Sequence, residues 1–331
     1  MATEISMRPT DTGILPHSHG PLVRPLRQLF VSYLRPSSMQ VAHPPRFQHQ
    51  NTTFHGQPAC HLTAPDGSEA MVLLHGAHLV SWKTSGGVER LYLSEQAHFA
   101  VGTAVRGGVP VVFPQFANQG TLVKHGFART QMWSLHSVDT TEKDALLILR
   151  LVSSDETRAL WPFDFELELS LRFSSQRLDM ELAVINTGNK PLSFTAALHT
   201  YLKVADITAV RLEGLSRLRF RNAVTNTVQV DDHSSVRIEG EVDRVYFDAA
   251  RPVLISTGES ATDRSEVMQT GFKDVIVWNP GPVNSVALQD MPDEGWRQML
   301  CVESAVVNQP VQLAPGEDWW GRQSIDCSTS A

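Results

Sequence analysis

At 331 residues the chain fits one large β-sandwich, and burial of a sizeable core is not limited by length. With 42% hydrophobic and 19% charged residues, it has the composition of an ordinary globular protein, and no run approaches the roughly 18 apolar residues of a membrane span. A net charge of -7 and a pI near 6.0 exclude a global positive field for nucleic acid or an acidic membrane surface, so an anionic ligand would need a local cluster of Arg and Lys.

Residues 1–44 carry Arg8, Arg24, Arg27 and Arg35 against only Glu4 and Asp11, with frequent proline and poor hydrophobic periodicity. They are expected to form a disordered extension or an overlong start ahead of Met39. The Arg-rich, acid-poor character also suits a transit peptide, although proline opposes the amphipathic helix such peptides use. Residues 45–331 are expected to form one domain.

From about residue 45 onward, strand follows strand. Residues 70–83 come first, then 146–152. In residues 163–173, Phe163, Phe165, Leu167, Leu169, Leu171 and Phe173 alternate with polar residues, as in a half-buried strand. A short SSQR segment follows, and Leu178, Met180, Leu182 and Val184 alternate again up to Asn186-Thr187-Gly188-Asn189. This predicts a long antiparallel hairpin. Further strands are predicted at 193–202, 253–256, 274–278, 285–288, 299–307 and 311–313. Asp66-Gly67, Gly86-Gly87 and Pro280-Gly281 are turn signals. With no helical stripe and no βαβ alternation, the expected architecture is all-β, built of packed antiparallel sheets.

The three cysteines, Cys60, Cys301 and Cys327, are odd in number and form no CxxC pair, which points to a reducing compartment. The dinucleotide, Walker A, HExxH and GxSxG signatures are absent. The pairs His17 and His19, and His75 and His78, lack the matching ligand set of a metal site.

Three segments hold chemistry-bearing residues in apolar or glycine-punctuated settings. RGGVPVVFPQF, from Arg106 to Phe116, contains Gln115 and leads to KHGFAR with Lys124, His125 and Arg129. ALHTYL contains His199. CVESA contains Glu303 in a run that should be buried. Taken singly, His199 could be a satisfied core histidine, Glu303 could pair with an arginine, and Arg106 and Arg129 could form ordinary ion pairs. As a set they call for more, because a buried carboxylate is costly unless it is paired.

These segments, with DVIVWNPG between the last two and LAPGEDWWG after them, resemble in order the aldose 1-epimerase superfamily. The closest likeness is to its hexose-6-phosphate mutarotase (glucose-6-phosphate 1-epimerase) branch, from about residue 50 to about residue 325. The resemblance implies a galactose mutarotase-like β-supersandwich with no metal and no organic cofactor. It implies His199 as the general acid at the ring oxygen and Glu303 as the general base at the anomeric hydroxyl. His125 would stabilise charge nearby. Asp274 would hold a sugar hydroxyl, and Arg106 and Arg129 would meet a phosphate. Gln115 and Lys124 join the expected substrate-binding set. After Phe116 the chain reads Ala117-Asn118-Gln119-Gly120 where relatives often place Gly directly, so the loop by the pocket is expected to differ. The expectation is a cytoplasmic, monomeric isomerase of a small sugar phosphate, with no nucleic-acid or membrane partner. A free-sugar aldose 1-epimerase, a non-catalytic sugar-binding protein and, more remotely, a glycoside hydrolase are the competing readings.

Overall fold

The computed structural model describes residues 48–140, 145–257 and 264–327, so the expectation for residues 1–44 lies outside the described residues. The described chain forms three antiparallel sheets. The smallest is a meander of Gln48–Phe54, Gln57–Thr63, Glu69–Leu73 and His78–Lys83. The second runs, in spatial order, through Thr227–Val230, Arg219–Asn222, Val242–Tyr246, Asp274–Asn279, Met299–Leu313, Leu192–Leu198 and Val111–Val112, with Tyr201–Lys203 also paired to Met299–Leu313. The third runs through Arg211–Glu213, Val253–Ser256, Arg264–Thr270, Asp318–Asp326, Arg177–Asn186, Phe165–Phe173, Ala145–Val152 and Ser134–Thr140. This is the all-β supersandwich expected from the sequence.

The predicted hairpin is present as Phe165–Phe173 paired with Arg177–Asn186, with Leu169 opposite Leu182 and Leu171 opposite Met180. Period two puts Phe165, Leu167, Leu169, Leu171 and Phe173 in the main core, with Leu178, Met180, Leu182 and Val184 beside them. The opposite face carries Arg150, whose guanidinium meets Glu166 at 3.2 Å and Glu168 at 3.0 Å across the ladder.

Four of the predicted strands are redrawn here. Residues 70–83 are two strands, because Gly76 (φ 75°) and Ala77 (φ 47°) turn the chain between Leu73 and His78. At Gly76 any Cβ would run into the backbone of Arg129, so the turn requires glycine. Residues 285–288 are not a strand. Asn279 accepts from the amide of Gly281 at 2.8 Å, and Gly281–Ser285 forms a short helix with Pro282 in its first turn. Residues 299–307 and 311–313 belong to one strand, Met299–Leu313, whose partner register jumps from Ala196–Val306 to Phe194–Val311. The intervening residues bulge, and Asp274 ties the bulge down by accepting from the amides of Val307 and Asn308, each at 2.8 Å.

The centre of the second sheet sets up the site. Paired residues share a face, so the pairs Ile276–Glu303, Trp278–Cys301, Val245–Ile276 and Asp243–Trp278 turn one way. Their neighbours Val275, Val277, Val302 and Val306 turn the other way, into the main core. Beneath Glu303, buried Thr200 donates to Gln323, whose amide nitrogen donates to the Val302 carbonyl and to Ser304, each at 3.1 Å. The strand carrying Glu303 is thus fixed from below.

Candidate active site

Glu303 is 1% exposed and His199 7% exposed, and the histidine Nε2 lies 3.4 Å from the Glu303 Oε1. Among the described residues, Glu303 Oε2 and His199 Nδ1 have no hydrogen-bond partner. His199 falls in the break between Leu192–Leu198 and Tyr201–Lys203, where its own amide donates to the Pro110 carbonyl at 3.0 Å. Its ring stacks on Tyr201 (centroids 4.8 Å, planes 8° apart) and meets Trp278 edge-on at 6.0 Å. The imidazole orientation is therefore fixed by packing rather than by a second hydrogen bond.

His125 stands edge-on to His199, with centroids 5.4 Å apart. It comes from the loop after Phe116. The His125 amide donates to the Ala117 carbonyl at 3.0 Å, and the Ala117 amide donates back to His125 Nδ1 at 3.3 Å. An accepting Nδ1 leaves Nε2–H as the donor of the neutral ring. Ala117 has φ 49°, so the residue that replaces the glycine of the resembling proteins still adopts the left-handed backbone a glycine favours. Gln115, expected to meet substrate, braces this loop with its amide. It donates to the carbonyls of Ala117 (3.0 Å) and Leu122 (3.1 Å) and accepts from the Leu122 amide (3.0 Å). Asp274 shares the face of Glu303, yet its oxygens accept the amides of Val307, Asn308 and Asp248. It anchors the bulge.

The expected cations gather here. Arg106 donates from Nε to Asp290 at 3.2 Å and from Nη1 to the Tyr201 hydroxyl at 3.0 Å, and lies 5.8 Å from the Trp278 ring centroid. Burial works against its charge, but Tyr201 and Asp290 outweigh that and hold it firmly cationic. Gly107 and Gly108 after it pass so close to Tyr92 and Leu79 backbone that side chains would not fit. Arg129 donates to the Lys124 carbonyl at 2.7 Å, and Lys124 itself is exposed.

Charge in this pocket is strongly biased. Burial pushes His199 well below its ordinary value, helped by His125, Arg129 and Arg106. Burial, with Arg129, Lys124 and Arg106, pushes His125 down to about 2. Burial pushes Glu303 well above its ordinary value, and Asp243 adds to the rise while Lys124 and Arg129 oppose it. Burial thus favours an uncharged His199–Glu303 pair that holds one proton between its members.

Two residues the sequence reading left out belong to this constellation. Asp243 sits opposite Trp278, with its own carboxyl raised first by burial and lowered by Lys124 and Arg221. Only strand register places it there. Tyr201 was visible inside ALHTYL, two positions after His199, the spacing that puts two strand residues on one face.

The fold and site together define the galactose mutarotase-like class of β-sandwich proteins. The chain belongs to the aldose 1-epimerase family, whose profile matches residues 58–326. A protein of Cenchrus ciliaris provisionally named glucose-6-phosphate 1-epimerase is 35% identical over 272 residues, covering 79% of this chain and 82% of its own. An Escherichia coli K12 protein with the same provisional name is 36% identical over 269 residues, covering 78% and 86%. The crystal structure of a provisionally assigned mutarotase from Salmonella typhimurium superposes with a TM-score of 0.77 at 31% identity, covering 88% of this chain and 96% of that one.

Proposed function

We propose that this protein is a hexose-6-phosphate mutarotase that interconverts the α and β anomers of glucose 6-phosphate or a similar aldohexose 6-phosphate. The observation that carries the reading is the buried His199–Glu303 pair, 3.4 Å apart, facing a group of cations. The provisional names of the relatives supply the phosphate-bearing substrate.

Ring opening removes a proton from the anomeric hydroxyl and delivers one to the ring oxygen as the bond between the anomeric carbon and that oxygen breaks. Glu303 takes the first proton and His199 gives the second. Before opening, the pair is carboxylate plus imidazolium; afterwards it is carboxylic acid plus neutral imidazole. Rotation about the bond to the next carbon exposes the other carbonyl face, and closure reverses both transfers. Each arrangement has zero net charge and one proton, and the two differ in whether that proton sits on His199, where the neighbouring cations disfavour it, or on Glu303. A substrate dianion beside Arg106 and Arg129 offsets the cations that depress His199 and favours the imidazolium. His125, neutral and donating from Nε2, supports charge developing near the ring. Each positioned acid or base typically contributes about 10² to 10⁴ in rate. The three cysteines are free thiols, which suits the expected cytoplasmic setting.

Polarimetry or anomer-resolved NMR of freshly dissolved α-glucose 6-phosphate, beside α-glucose and α-galactose, tests the reading. Strong acceleration of the phosphate is the expected result. Acceleration of free sugars alone removes the phosphate assignment, and acceleration of none makes the chain a sugar-binding protein.

A further inference from the structure

The proton-transfer pair has a third neighbour that the reaction does not use. Cys301 lies two positions before Glu303 on the same strand face, opposite Trp278 on one side and Tyr201 on the other, and is fully buried. One ligand atom each from His199, Cys301 and Glu303 lies within 4.8 Å of the others. The thiol is free.

The spacing suits a small tetrahedral ion. Zinc bonds of about 2.0–2.3 Å to N, O and S set donor-to-donor edges of about 3.3–3.8 Å. The His199–Glu303 separation of 3.4 Å is already one such edge. The remaining edges, at 4.8 Å or less, need a contraction of up to about 1.5 Å, within the reach of side-chain rotations. Donor chemistry points the same way. Imidazole, thiolate and one carboxylate suit zinc and its softer neighbours, whereas magnesium prefers six oxygens. A neutral His199, which burial favours, offers its lone pair without first losing a proton. Thiolate and carboxylate together bring two negative charges to balance a dication among Arg106, Arg129 and Lys124. Three protein donors leave the fourth position to water or substrate.

We propose that His199, Cys301 and Glu303 form a capture site for a zinc-class divalent cation, and that the captured ion switches catalysis off. The ion displaces two protons to solvent, the Cys301 thiol proton and the one proton that the His199–Glu303 pair holds, and takes the lone pairs that Glu303 and His199 need for proton transfer. It acts as an inhibitor, not a resident cofactor. The loss of activity rests on the mutarotase reading; capture of the ion rests on geometry alone.

Zinc chloride titrated calorimetrically into the full-length protein is expected to bind at one ion per chain. Cobalt(II) in its place is expected to show the near-ultraviolet charge-transfer band of a bound thiolate. Zinc should abolish anomerisation of glucose 6-phosphate, EDTA should restore it, and substrate should protect. Cys301→Ala and Cys301→Ser should keep mutarotase activity yet weaken zinc binding by more than the roughly 10–100-fold that loss of a mere outer-shell partner costs. The proposal is overturned if wild type binds no stoichiometric ion, if the cobalt complex lacks the thiolate band, or if both variants bind and are inhibited as wild type is. Binding and spectrum are read without turnover, so they stand or fall independently of the mutarotase assignment.

Discussion

Glu303→Gln separates the two burdens that Glu303 carries, proton transfer and the expense of being buried. The side chain is 1% exposed, and an amide of nearly equal volume fits the same space. An amide cannot accept the anomeric proton, so kcat for glucose 6-phosphate should fall by about 10² to 10⁴. Stability should move the other way at neutral and alkaline pH. Glu303 is raised in the folded protein, so above its ordinary value the folded state binds more protons than the unfolded state, and stability falls as pH rises. His199 is depressed, so below its ordinary value the unfolded state binds more protons, and stability rises with pH. Between about pH 4.5 and 6.5, taking the ordinary Glu and His values, the two slopes cancel in wild type. Above about 6.5 only the Glu303 slope remains, about 1.4 kcal/mol per pH unit until the pair loses its proton. The variant lacks that slope, so its advantage over wild type should widen as pH rises above about 6.5, for as long as the pair keeps its proton. Urea unfolding at half-unit pH steps, with anomerisation rates on the same preparations, reads both effects. A variant with near wild-type turnover, or a stability difference that does not change above pH 6.5, would refute the account of a raised, catalytic Glu303.

Arg106→Ala should raise KM for glucose 6-phosphate by about 10- to 150-fold, the worth of about 1.5–3 kcal/mol for a charged hydrogen bond, and change KM for glucose little; equal effects on both substrates would remove Arg106 from phosphate binding. Tyr201→Phe keeps the stack on His199 and loses only the contact with Arg106, so it should raise KM for the phosphate by about 2- to 12-fold with kcat nearly unchanged, whereas a collapse of kcat would make the hydroxyl part of the chemistry. His78, buried with Nε2 2.7 Å from the Gly107 carbonyl, is pushed down to about 4. Its unfolded form takes the extra proton between about pH 6.5 and 4, so stability should drop as pH is lowered through that range, by up to about 3 kcal/mol. His78→Gln should flatten that part of the curve, and parallel wild-type and variant curves would reject the assignment.

What could be read from the sequence depended on whether the deciding partner was local or remote. Alternation over residues 163–184 is written in consecutive residues, and the hairpin formed in the expected phase because a one-residue slip would turn every leucine to the wrong face. The same logic makes Glu303 conspicuous, since a carboxylate inside LCVESAVV needs a reason to be buried. His199 and His125 reach it from segments far away in sequence, and only the familiar order of motifs brought them together on paper. Harder to read were the residues whose partners are backbone amides or cross-strand neighbours. Asp274 reads as a free acid in DVIVWNPG, yet it spends its oxygens on the bulge at Val307 and Asn308. Gln115 spends its amide on the loop that presents His125. Asp243, in an unremarkable VDRVY segment, becomes a member of the site because the register sets it opposite Trp278. Such tasks cannot be separated by residue type, because an acid that ties down a bulge and an acid that faces a pocket look alike until the hydrogen-bond partner is known. The site is therefore more than its acid and base. Gln115 holds the loop that presents His125 to the His199–Glu303 pair, and Asp274 holds the bulge in the strand that carries Glu303, so a change at either should move the geometry of catalysis.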